Sequence, residues 1–223
     1  MRVLMIGDVV GSGGRKAVTS LLKDLKSELN IDFVTLQGEN LASGIGLTVE
    51  SVTEMLEAGA DVIHGTALGV GERAGNAPLD QTLVNLKLMG VIENDLTLLN
   101  EYVRKAHDYV EVALPRNYPV FGEDAFETGT GVHASAVIKA MKKGDHWLAD
   151  RVYSGVPAQD FGLQQKIRIG HMSGRSNIIW WLEQRGYEAS DELVAHMFEI
   201  AKNQPRLMAD EEVTAVVEGF TKA

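Results

Sequence analysis

Glu57-Ala58-Gly59-Ala60-Asp61-Val62-Ile63-His64 is the stretch on which the fold turns. A helical run stops at a glycine, an acidic residue follows, and a short apolar segment begins, as when a helix hands over to a buried strand. Toward the N-terminus the same alternation occurs again. Val3-Leu4-Met5-Ile6 reads as a buried strand ended by Gly7-Asp8, and Ile31 to Leu36 as a second. Between them, after the turn Gly11-Ser12-Gly13-Gly14, Val18, Leu21, Leu22, Leu25 and Leu29 recur at helical spacing. Thr48 to Ala58 is a second helix, with Val49, Val52, Met55 and Leu56 on one face. This β-α-β-α-β order predicts parallel strands with right-handed crossovers.

Beyond residue 76 the pattern turns helical. Amphipathic runs predict helices at Leu79–Met89, Asp95–Val110, His133–Lys142, Ser173–Arg185, Asp191–Lys202 and Asp210–Lys222. Ser173 is placed to cap its helix and Gly186 to stop it. Adjacent Trp180 and Trp181 cannot share one helix face. The expected fold is α/β. A small three-stranded parallel βαβαβ unit with the character of a partial barrel (1–76) precedes a mainly α-helical subdomain (77–223).

Composition narrows the function classes. The chain has 223 residues, 45% of them hydrophobic, enough for a sizeable core. No apolar run reaches the roughly 20 residues of a membrane span, and Met1 to Asp8 reads as a strand rather than a signal peptide. The absence of cysteine removes disulfides and thiolate metal sites, and the expected location is cytoplasmic. A net charge of −10 with no Lys/Arg cluster argues against a nucleic-acid partner. Gly11-Ser12-Gly13-Gly14-Arg15-Lys16 lacks the third glycine of a dinucleotide fingerprint and the ending of a P-loop.

Asp8 and Gly38-Glu39-Asn40 fall at the ends of the first two strands, where parallel sheets carry their functional groups. Two carboxylates and an amide oxygen there suit a divalent cation; on the residues alone, Asp8 and Asn40 equally well cap turns. Ile6-Gly7-Asp8-Val9-Val10-Gly11, Asn30 to Val34, Gly38-Glu39-Asn40 and Glu57 to Ile63 together resemble the N-terminus of the YmdB-type calcineurin-like metallophosphoesterases. The resemblance implies metal binding by Asp8, Glu39 and Asn40 and cleavage of phosphodiesters. It stops at residue 63, where that family continues into a Gly-Asn-His motif and this chain reads His64-Gly65-Thr66.

From His64 the residues change allegiance. His64-Gly65-Thr66-Ala67-Leu68-Gly69-Val70-Gly71-Glu72-Arg73-Ala74-Gly75-Asn76, Leu83 to Lys87, Gly129 to Ala134, Asp150 to Tyr153 and Gly170 to Asn177 resemble the last barrel strand and helical subdomain of the 2-isopropylmalate synthase and homocitrate synthase family. That resemblance implies an acyltransferase of amino-acid biosynthesis, joining acetyl-CoA to a 2-oxo acid with a divalent metal (Mg, Mn, Zn or Fe) as Lewis acid. It makes Asn76 a metal-centre residue, Glu72 a substrate-loop residue, and His133 and Tyr153 catalytic groups supplied to a partner subunit of a homodimer. Without the family, Glu72 and Asn76 lie in a glycine-rich turn and His133 is a surface or capping residue. The family's earlier barrel strands, with an Arg-Asp pair and a His-x-His pair, have no counterpart; none of the six histidines forms His-x-His.

The chain therefore reads as an apparent chimera with its seam at Ala60 to His64. The expected activity is that of a synthase-type acyltransferase reduced to its C-terminal part, impaired or inactive alone. The alternatives are a YmdB-type phosphodiesterase with an incomplete metal site and a non-enzymatic chimera or dimerisation module.

Overall fold

In the computed structural model, residues 1–43, 46–72 and 75–221 are described. The chain divides into two compact units, Met1–Leu114 and Pro115–Ala223. The first opens with strand β1 (Val3–Asp8), helix α1 (Gly11–Glu28), strand β2 (Phe33–Gln37), helix α2 (Val49–Ala58) and strand β3 (Val62–His64). The strands form one parallel sheet in the order β1-β2-β3, as their βαβαβ succession requires. Leu4, Ile6, Val34, Leu36 and Ile63 pack from one sheet face against Val18 and Leu22 of α1 and Met55 and Ala58 of α2. On the other face Val3, Met5 and Phe33 are exposed, Met5 by 74%.

The joint between α2 and β3 explains the deciding stretch. Thr48 and Ser51 exchange hydrogen bonds as a capping box at the start of α2. At its end Gly59 sits at φ 111°, in the left-handed region that a side chain would strain. Its N–H donates to the Leu56 carbonyl and that of Ala60 to the Met55 carbonyl, closing the last turn. Asp61 then accepts from the Val34 amide of β2 at 2.7 Å and from Lys26 Nζ of α1 at 2.9 Å. One carboxylate thus sets β3 beside β2 and holds α1 over both.

Helices α3 (Leu79–Leu88) and α4 (Leu99–Val110) complete the first unit. The fourth helix starts four residues later than its periodicity predicts, because Asp95 Oδ1 accepts from the Thr97 amide and keeps that segment in a turn.

The second unit contains strand β4 (Glu127–Thr128), helices α5 (Gly131–Lys142) and α6 (His146–Arg151), strand β5 (Lys166–Ile167), and helices α7 (Arg175–Gln184), α8 (Asp191–Lys202) and α9 (Asp210–Thr221). The two strands pair in parallel. The mixed α/β class and the helical second part are as expected from sequence; Lys222, expected in the last helix, lies outside the described residues. Ile178, Trp181 and Leu182 of α7, Leu193, Val194 and Met197 of α8, and Val213 and Val217 of α9 form one core. Trp180 packs on a second, built from Ala134, Val137, Ile138, Ala140, Ala149 and Ile167. The tryptophan pair therefore divides between two cores.

Ser173 does not cap α7. Its hydroxyl accepts from the Gly170 amide and donates to the Gly129 carbonyl at 2.7 Å. The capping acceptor is Asn177, fully buried, whose Oδ1 takes the Gly174 N–H. Asn177 Nδ2 donates to the Gly129 and Arg168 carbonyls. Ser173 and Asn177 thus knot together the two glycine-rich segments, Gly129 to Gly131 and Gly170 to Gly174.

Two outcomes follow from these contacts. Asn177→Ala leaves the Gly129 and Arg168 carbonyls to the Ser173 hydroxyl alone and the Gly174 amide without its side-chain acceptor, and should cost about 1–3 kcal/mol in urea unfolding. The hydrogen bond from Lys26, then that from Val34, holds the Asp61 carboxyl below its ordinary value. Its stabilisation is therefore complete above the unfolded value near 3.8 and is lost as pH falls through the lower folded value. For this partly exposed group, Asp61→Asn should cost about 1 kcal/mol at pH 7. The gap from the native chain should close as pH falls from 3.8 through that lowered folded value.

Candidate functional site

Three places hold the residues singled out by sequence, two in the first unit and one in the second. The first is the carboxyl edge of the parallel sheet. Register places Asp8 opposite Gln37 and Gln37 opposite His64, so the three strand ends form one row. Asn40 Nδ2 donates to both oxygens of the exposed Asp8 at 2.9 Å. The Asn40 carbonyl accepts from the Gly11 and Ser43 amides, which ties the loop after β2 to the start of α1. Glu39 is half-buried beside it. His64, the first residue of the synthase-like stretch and not a site residue expected from sequence, bonds through Nε2 to Thr35 Oγ1 at 3.1 Å.

Asp8 and Asn40 are thus brought together, as both the ligand and the turn-cap readings require. Among the described residues no group of three or more His, Cys, Asp or Glu side chains could hold a metal ion. One carboxylate already engaged by a neutral amide does not fit a two-metal centre.

The second place is the loop after β3, which folds on itself. Thr66 bridges to Pro78: its N–H donates to the Ala77 carbonyl and its carbonyl accepts from the Leu79 amide. Asn76 donates from its backbone to Gly69 and from Nδ2 to the Val70 carbonyl at 3.1 Å. A side chain at Gly75, at φ 94°, would collide with the Gly69 carbonyl. Glu72 is exposed, Asn76 half-buried, and Arg73 and Ala74 lie outside the described residues.

Asp80, in the first turn of α3, is fully buried and was not singled out from sequence. Its Oδ1 accepts from the Leu68 amide at 2.8 Å and its Oδ2 from Gln81. This clamps Leu68, held at a positive φ of 56°. An acidic residue in the first turn after Pro78 was the available signal.

In the second unit, His133 near the start of α5 and Tyr153 just beyond α6 stack with ring centroids 4.1 Å apart and planes 26° apart. The two helices pack through Ala134, Val137 and Ala149, with Val152 against them. That packing fixes the rings together while both residues stay exposed, Tyr153 by 51%. Trp147 and Val132, from the same two segments, are also exposed. An imidazole on a phenol, both open to solvent, can pass a proton to or from a ligand.

These geometries coincide with two separate likenesses. The model of the YmdB-like protein family matches residues 4–68. The homocitrate synthase AksA of Methanopyrus kandleri is 32% identical over 167 residues, 74% of this chain and 40% of that protein. The chain resembles both families. The 2-isopropylmalate synthase of Methanocaldococcus jannaschii is 29% identical over 97% of this chain and 41% of its own length. The synthase likeness thus extends, more weakly, back through the βαβαβ unit. A solved structure described as a novel phosphatase of Mycoplasma pneumoniae is 34% identical over 27% of this chain and 22% of its own, at a TM-score of 0.27. The chain spans well under half the length of the curated synthases it matches. Among the described residues no helix is long and apolar enough to cross a membrane.

If Asp80 clamps the loop, Asp80→Ala should lower stability by about 2 kcal/mol and speed proteolysis between Leu68 and Asn76. Unchanged cleavage there would remove that role.

Proposed function

We propose that the chain carries the helical, proton-transferring part of an acetyl-CoA-dependent acyltransferase of the 2-isopropylmalate and homocitrate synthase type. The observation that carries this reading is the exposed His133–Tyr153 stack. The resemblance picked these residues twenty positions apart, and the packing of α5 on α6 supports that choice by joining them. In the implied reaction the methyl carbon of acetyl-CoA loses a proton and bonds to the carbonyl carbon of a 2-oxo acid. Water then cleaves the thioester. His133 is the group suited to move protons at neutral pH, and Tyr153 orients its ring. Glu72 and Asn76 belong to the substrate loop, Asn76 being the residue that the resemblance assigns to a metal centre.

That divalent metal does not fit a donor group among the described residues, and no step is derived through it. The functional boundary is read at residue 76/77, and His133 and Tyr153 act in a homodimer or on a synthase barrel supplied in trans. A second reading, a YmdB-type phosphodiesterase, is favoured by the Asp8–Asn40 pair at the sheet edge and by the YmdB-like match over residues 4–68. The test is complementation. The chain is mixed with Methanopyrus kandleri homocitrate synthase whose own counterpart histidine and tyrosine are replaced by alanine, and 2-oxo-acid-dependent thiol release from acetyl-CoA is followed. Restored turnover that falls by about 10²- to 10⁴-fold with His133→Ala supports the proposal. No restoration sinks it. Hydrolysis of a chromogenic phosphodiester with Mn²⁺ that Asp8→Ala abolishes would favour the second reading instead.

A further inference from the structure

Strand β1 stands at one edge of the three-stranded sheet and, among the described residues, pairs only with β2. Which of its backbone groups stay free follows from the first bond of that ladder, in which the Arg2 carbonyl accepts from the Phe33 amide. Peptide groups point alternately to either side of a strand. Arg2, Leu4 and Ile6 therefore bond toward β2, while Val3 and Met5 turn their N–H and C=O outward. Native sheets blunt such an edge with proline, lysine, a bulge or a very short strand. Strand β1 has six residues and neither Pro nor Lys. The slip in its ladder falls between Ile6 and Asp8 and leaves Val3 to Ile6 regular.

The helix above this edge is open on the same side. Arg15 of α1 pairs with Glu54 of α2 at 2.7 Å, and Lys26 donates to the Gly59 carbonyl at 3.3 Å. These two residues mark the flank of α1 that faces α2. Leu21 and Leu25 lie roughly 80–140° round the helix from them, on the flank turned toward the free edge of β1. They are exposed by 55% and 38%.

An antiparallel partner must set outward-bonding residues against outward-bonding residues, so a two-fold axis near the middle of the strand passes at Leu4 or at Met5. About Met5, Arg2 stands against Asp8 of the partner subunit, Val3 against the partner's Gly7 and Leu4 against the partner's Ile6. About Leu4, Arg2 would meet the partner's Ile6. The first register alone sets opposite charges across the seam, twice by symmetry. In the single chain the exposed Arg2 gives its guanidinium to the Leu29 carbonyl, and the exposed Asp8 takes the neutral Asn40 amide. Neither charge is yet met by an opposite one.

We propose that a second copy of this chain docks on this edge, β1 against β1 about a two-fold axis at Met5. Two three-stranded sheets become one of six strands, and Leu21 and Leu25 of the two α1 helices face each other. Because the face is complementary to itself, the assembly closes at two copies. It uses neither His133 nor Tyr153 and rests on neither functional reading.

Light scattering and sedimentation of the intact chain test this, and should give twice the chain mass. Met5→Lys places like charges on the axis at a side chain that is 74% exposed. It should weaken association about tenfold or more and leave circular dichroism unchanged. Arg2→Asp and Asp8→Arg should each weaken association alone, and an equimolar mixture of the two should recover it as a heterodimer. The chain has no cysteine, so Met5→Cys carries one thiol, which should form an intermolecular disulfide on mild oxidation; Val62→Cys on β3 should not. A monomeric native chain overturns the proposal, as do assemblies that grow past two copies, dimers that Met5→Lys leaves intact, and cross-linking through Val62→Cys instead. Should Met5→Lys fail to fold, the charge-exchange mixture decides, and failure to recover the dimer there is equally fatal.

Discussion

The first unit depends on one carboxylate. Asp61 receives an amide from β2 and an ammonium from α1, and it stands where α2 has just ended on Gly59. Parallel pairing gives a three-residue strand such as β3 few ladder hydrogen bonds of its own. The side-chain bond to Val34 supplies what the short ladder lacks and fixes the register that aligns Asp8, Gln37 and His64. Everything later in this unit, including the closed loop and its Asp80 clamp, is built outward from that alignment.

The second unit solves a comparable problem differently. Its strands are two residues each, too short to organise anything. Order comes instead from Ser173 and Asn177, whose side chains satisfy carbonyls from two distant loops. A buried polar knot tolerates little variation, because each missing partner leaves a desolvated group. Segments that sequence comparison makes look functional can thus be structural: Gly129 to Gly131 and Gly170 to Asn177 belong to this joint.

The helices and parallel strands were legible from periodicity because each has one apolar face and a nearby stop residue. Boundaries slipped where a polar side chain intervened, as Asp95 does before α4 and Asn177 does in place of Ser173. The contact between Asp8 and Asn40 could be anticipated, since neighbouring parallel strands bring their ends together. The stacking of His133 on Tyr153 could not: it arises from α5 meeting α6, a tertiary contact with no local signature. The burial of Asp80 and the bond from His64 to Thr35 had no sequence signal for a related reason. A single acidic or imidazole side chain carries its meaning in what surrounds it.

The bare face of the sheet at Val3, Met5 and Phe33 has a colloidal consequence. Among the described residues the outer strands β1 and β3 each pair on one side only, so an apolar plane adjoins open hydrogen-bonding edges. Such a surface favours contact between copies. What opposes it is the net charge of −10, whose repulsion is long-ranged only in dilute electrolyte. Dispersion of the chain in solution is thus an electrostatic property, weakened by salt and by acid alike, even where the folded core is untouched by either.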